Sequence, residues 1–75
     1  MDHETCQGAA IEEYESKGFR TFPTGRGSDF LVISPSGVVE LVEVKTRNDR
    51  LTKLQMEIKR KAERAGTPYV EYRCP

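Results

Sequence analysis

Three side chains of this sequence could act together as a reactive group: Asp29, and Glu43 with Lys45 two residues further on. Two carboxylates brought close hold a divalent cation, and a lysine beside them offers positive charge to an anionic substrate. Glu43 and Lys45 close the run Val38-Val39-Glu40-Leu41-Val42-Glu43-Val44-Lys45. Side chains alternate along an extended strand. Val39, Leu41, Glu43 and Lys45 therefore share one face, and Val38, Glu40, Val42 and Val44 the other. Apolar residues on both faces indicate a central strand covered on both sides. Charges on such a face are costly unless they are paired or bind an ion.

The turn before this strand sets the partner of Glu43. Ser34-Pro35-Ser36-Gly37 fits a type I turn followed by a left-handed glycine, a common three-residue hairpin connection. Ser34 then opposes Val38, Leu31 opposes Leu41, and Asp29 opposes Glu43. Opposed residues share a face with Cβ atoms about 4.5–5.5 Å apart. Two carboxylates that close repel one another unless a cation lies between them. All-oxygen ligation suits Mg²⁺ or Mn²⁺, and the chain has no Cys/His set with zinc spacing. A two-residue loop would shift the register by one and part the two acids. The plainer alternative pairs Lys45 with Glu43 or Asp29 as a salt bridge.

The elements that must position these residues follow from periodicity and punctuation. Glu4 to Lys17 reads as a helix, with Ala10, Ile11 and Tyr14 at helical spacing and Gly18 as its C′ residue. His3 precedes it and is read as idle. Phe19 to Phe22 is a short strand, and Thr24-Gly25-Arg26-Gly27-Ser28 a loop. Asp29 to Ser34 and Val38 to Lys45 are strands. Thr46 to Arg50 is a polar connection. Leu51 to Ala65 is a second helix with Leu54, Ile58, Ala62 and Ala65 on one face. Thr52 and Gln55 fit a capping box. Gly66 and Pro68 end the helix, and Tyr69 to Arg73 is a last strand whose two tyrosines are read as packing residues. The order is αβββαβ, an α/β domain around a small mixed sheet.

At 75 residues the chain is one domain, residues 1–75, with a thin core. No apolar run approaches the roughly 18 residues of a membrane span. Cys6 and Cys74 sit near opposite ends, too few for a disulfide framework. They are expected to be free thiols of an intracellular, cytoplasmic protein, which leaves dimerisation to supplement the core. The formal net charge is zero. Its distribution is uneven. Residues 1–44 hold three basic side chains, Arg26 among them, against eight acidic ones; residues 45–64 hold eight basic against three acidic. A polyanion responds to such a local basic field whatever the total charge. A solvated helix face would give the same run.

Gly27-Ser28-Asp29-Phe30 followed by Val42-Glu43-Val44-Lys45 resembles the PD-(D/E)xK nuclease superfamily. The longer stretch from Leu41 to Gln55, with the ending Ala65-Gly66-Thr67-Pro68-Tyr69-Val70, resembles the VRR-NUC family within it. The likeness spans roughly residues 25–73. It implies a restriction-endonuclease-like core and metal-dependent hydrolysis of DNA phosphodiesters. Asp29, Glu43 and the backbone carbonyl of Val44 would hold the metal, and Lys45 would orient or activate the attacking water. Gln55 would project from the helix start towards the site. Related nucleases place a Glu on the first helix; here Gln7 falls near that position, with Glu4 one turn earlier. Arg47, Arg50 and Lys53 are the candidate phosphate contacts. The resemblance further suggests branched DNA in repair, recombination or phage replication, with a homodimer presenting two sites to one Holliday junction. An inactive relative that only binds DNA is the alternative.

Overall fold

The computed structural model describes residues 1–25 and 28–75. Arg26 and Gly27, which belong to the loop and to the first motif above, lie outside the described residues. The elements run α1 (His3–Ser16), β1 (Arg20–Pro23), β2 (Phe30–Ile33), β3 (Val39–Thr46), α2 (Lys53–Arg64) and β4 (Tyr69–Cys74). The αβββαβ order is as expected, with bounds shifted by one or two residues.

Both helices start and stop on local chemistry. Asp2 caps α1 by accepting the Thr5 N–H at 2.7 Å. Thr52 caps α2 in a full capping box: the Gln55 N–H donates to Thr52 Oγ1, and the Thr52 N–H donates to Gln55 Oε1. Each helix ends in a glycine at positive φ, Gly18 and Gly66. Phe19 and Thr67 then donate back to Tyr14 and Ala62, the six-to-one bond of a Schellman motif.

The four strands lie in chain order as one sheet, β1-β2-β3-β4. The first three are antiparallel, and β4 returns parallel to β3 after α2. The sheet is therefore mixed, with β3 inside it. The β2/β3 hairpin has the anticipated turn: Gly37 takes φ 90° and its N–H donates to Ser34 O at 2.9 Å. The register follows from it, with Leu31 opposite Leu41 and Phe30 opposite Val42.

One face of the sheet carries the core. Phe30, Val32, Val42 and Val44 are buried there with Cys6 and Ala10 of α1, while Ile11, Tyr14, Phe19, Val70 and Tyr72 pack around them. The opposite face displays Leu41, Glu43 and Lys45 of β3 in register with Tyr69, Glu71 and Arg73 of β4. Helix α2 flanks β4 and buries no residue of its own. The apolar face expected of it is open to solvent at Leu54. Ile58 and Ala62 of that face are half-buried, and Lys59 Nζ reaches β4, 3.2 Å from Glu71 Oε2.

The cysteines correct the sequence reading. Cys6 and Cys74 form a disulfide, and among the described residues no free cysteine remains. Their separation of 68 residues hides the pairing in the sequence. It arises because α1 lies over the sheet and turns Cys6 towards the end of β4. A covalent staple thus reinforces the thin core, and the free-thiol premise for both the compartment and the dimer falls away. Among the described residues no helix is long and apolar enough to cross a membrane.

Candidate metal and nucleic-acid site

Asp29 sits just before β2, where the strand pairing opens. Its backbone N–H donates to Val42 O at 2.9 Å, and its Oδ2 accepts the Val44 N–H at 2.7 Å. These two bonds fix a carboxylate that would otherwise swing freely in a loop. An extended residue directs its N–H and C=O to the same edge. The Val44 carbonyl therefore points the same way as its amide, towards Asp29 and past the start of β2.

Glu43 lies beside Asp29 on β3 and is only 4% exposed. Burial, the hydrogen bond shared with Asp29 and the charge of Asp29 push its carboxyl up to about 7, against the opposing Lys45 ammonium. Near neutral pH Glu43 therefore gives up its proton far less readily than an exposed carboxyl. Lys45 Nζ stands 3.7 Å from Glu43 Oε2, with a side chain 12% exposed. The salt bridge envisaged as the plainer alternative thus exists, but it is buried and shares its acid with a second carboxylate.

His3 is the residue that the sequence reading left idle. It opens α1, and its Nε2 lies 3.3 Å from Asp29 Oδ2. One donor atom from each of His3, Asp29 and Glu43 falls within 4.8 Å of the others. Gln7 is half-buried on the same helix, and Glu4 is exposed and is not among these three ligand residues. The signal that could have found His3 is Asp2, whose capping side chain extends the helix one residue further back than the apolar spacing indicates.

Gln55 stands at the start of α2 and spends its Oε1 on the cap. Tyr69 is buried opposite Leu41; burial and then the charges of Glu43, Asp29 and Glu71 raise its phenol above the usual range. It therefore lines the acidic pair as well as packing, a role that the β3/β4 register reveals.

A groove of about 590 Å³ runs between α2 and β4, bounded by Arg50, Leu51, Met56, Lys59, Arg60 and Arg73 with Glu63 and Glu71. It adjoins the acidic pair, because Glu71 and Arg73 are the β4 partners of Glu43 and Lys45. Arg50 is thus on its wall, while Arg47 and Lys53 are exposed nearby in sequence. Arg73 was missed by sequence reasoning. It donates to Asp49 O at 2.8 Å and to Glu71 Oε1 at 2.9 Å, pinning the loop after β3 to the last strand.

No family model matches the chain, and no curated protein does. Among solved structures, one titled "VRR_NUC domain" matches with a TM-score of 0.83 and 29% identity, covering 92% of this chain and 81% of that one. The match supports a nuclease-type domain with an α/β core. The chain is thus similar in fold to a VRR-NUC domain, in line with the resemblance read from Leu41 to Gln55.

Proposed function

We propose that this domain is a divalent-metal-dependent DNA endonuclease that hydrolyses phosphodiester bonds, with branched DNA as its preferred substrate. The observation that carries the reading is the convergence of Asp29 and Glu43 beside the half-buried Lys45. Two close carboxylates, one pushed up towards neutrality, are a poor arrangement for stability and a good donor set for a hard cation. Asp29, Glu43 and the Val44 carbonyl are the oxygen donors for Mg²⁺ or Mn²⁺. Such an ion supplies Lewis-acid chemistry, activating water and offsetting charge on the phosphate.

The chain's own residues have distinct tasks. The Val44 amide and the Val42 carbonyl hold Asp29 in place. Lys45 presents a positive charge to the scissile phosphate and orients the attacking water. Gln55 steadies the helix that borders the site. Arg47, Arg50 and Lys53 contact flanking phosphates, which positions the DNA without reading its sequence. A homodimer would set two such sites on a Holliday junction, in DNA repair, recombination or phage replication. Action on such DNA would put the protein in the cytoplasm or at the nucleoid, a reading that no longer draws on free thiols.

A second reading, a nuclease-fold module that binds DNA without cutting it, is favoured by one observation. Asp29 already has His3 as a partner, and Glu43 has Lys45. Cleavage of a labelled four-way junction with Mg²⁺ or Mn²⁺ separates the two. Wild-type protein should cut it and Glu43→Gln should not. Metal-stimulated binding without a cut by either protein would select the binding module.

A further inference from the structure

His3 is an addition to the oxygen set considered above. Its ring nitrogen faces Asp29 Oδ2 at 3.3 Å, and the three donors of His3, Asp29 and Glu43 fit inside 4.8 Å. This spacing suits one ion bound by all three, since donors around a single cation stand roughly 3–4 Å apart when each bond is about 2.1 Å.

The imidazole is also held by the fold. Asp2 caps the helix turn that carries it. Three residues later, fully buried Cys6 ties that turn to Cys74. Cys74 is the β4 partner of Thr46, next to Lys45. The disulfide therefore anchors the start of α1 to the end of the sheet where the acids lie. His3 keeps a side chain 48% exposed, open to an entering ion.

We propose that His3 is a nitrogen ligand of the metal, and that it biases the site away from Mg²⁺ and towards divalent transition ions. Mg²⁺ is held by oxygen and gains little from an imidazole; later first-row ions bind imidazole increasingly well. A site of two carboxylates alone would favour those ions less strongly. The inference rests on the metal-binding part of the function proposed above and is independent of whether DNA is cut.

The test is titration of the oxidised full chain with Mg²⁺ and with Co²⁺ by calorimetry, without DNA, for wild type, His3→Ala and His3→Gln. A pulsed electron-spin measurement with Mn²⁺ accompanies it. His3→Ala should weaken Co²⁺ by about tenfold or more and leave Mg²⁺ within about twofold. The Mn²⁺ spectrum of wild type should carry a nitrogen coupling that both variants lose. His3→Gln keeps a polar partner for Asp29, so a role confined to holding Asp29 would be rescued by it and would move both metals alike. Equal losses for both metals, unchanged Co²⁺ affinity, or a wild-type spectrum without nitrogen coupling would each overturn the assignment. Binding of neither metal to wild type would overturn this proposal and the metal-dependent nuclease together.

Discussion

Asp29 is bonded to the strand opposite it through its own side chain: Oδ2 accepts the Val44 N–H at 2.7 Å, one residue beyond Glu43. A main-chain donor that would otherwise extend the ladder is thereby used to aim a carboxylate. The pairing of β2 stops at Phe30, and the edge that opens there is lined by Asp29, Glu43 and the Val44 carbonyl. Strand termination and site formation are one structural event.

The first prediction concerns charge within that pair. Asp29→Asn keeps the size of the side chain and an oxygen for the Val44 amide, and removes one negative charge beside Glu43. Cleavage should fall by at least about 100-fold. The Glu43 carboxyl should titrate lower than about 7, because the Asp29 charge is one of the causes of its elevation. Burial, the larger cause, stays. Carbon-detected NMR titration of Glu43 reads the shift, and a gel assay reads the activity. Unchanged titration with unchanged cutting would dissociate Asp29 from Glu43.

The elevated Glu43 also sets a pH dependence. Its folded value of about 7 lies above the ordinary 4.5. The folded chain thus binds the extra proton between those values, and the unfolded chain does not. Stability of the metal-free protein should fall as pH rises from about 4.5 to about 7 and level off above. Metal binding needs the ionised form, so affinity should rise up to about tenfold per pH unit below 7 and flatten beyond. Thermal melts with EDTA and metal titrations across pH 5–8 check the two opposite slopes.

Much of this arrangement could be read from the sequence where local chemistry decides. Pro35, Ser36 and Gly37 determine the hairpin loop, and the loop determines which residue faces Glu43. Thr52 and Gln55 announce a capping box by spacing alone. What could not be read is tertiary. Cys6 meets Cys74 only because α1 crosses the sheet, and His3 meets Asp29 for the same reason. Leu54 carries the helical spacing of a core residue, yet it stays exposed. Ile58 and Ala62 of the same face are only half-buried, and the Lys59–Glu71 ion pair ties α2 to β4.

The staple yields the third prediction. A disulfide spanning 68 residues restricts most of the unfolded chain. On loop entropy alone, Cys6→Ser with Cys74→Ser should cost about 4 kcal/mol. For a domain of this size that approaches the whole stability. Urea unfolding of oxidised wild type against the double variant measures it. A loss under about 1 kcal/mol would mean that the core holds α1 without the bond.

Gln55 supports a fourth prediction, since cap and site make different demands on it. Gln55→Glu keeps the acceptor that the Thr52 N–H requires. Its melting temperature should stay near wild type, whereas Gln55→Ala should lose about 1 kcal/mol. If both cut DNA at the wild-type rate per folded molecule, Gln55 acts through the helix only.

The groove beside β4 gives a fifth. Arg50 and Arg60 line it, and among the described residues neither forms an ion pair. Each Arg→Ala change should weaken DNA binding evenly across sequences and reduce the salt slope by about 1. Fluorescence anisotropy at several salt concentrations resolves this. A slope identical to wild type in both variants would place the DNA elsewhere.

The most direct test of the account is metal-dependent cleavage by wild type and Lys45→Ala on labelled four-way, flapped, single-stranded and duplex DNA, with Mg²⁺, Mn²⁺ or EDTA. Wild type should cut with either metal, not with EDTA, and best on branched DNA. Lys45→Ala should melt cooperatively and leave the DNA intact. Equal cutting by the variant, or cutting that survives EDTA, would contradict the assignment of Asp29, Glu43 and Lys45 as a metal-dependent nuclease site.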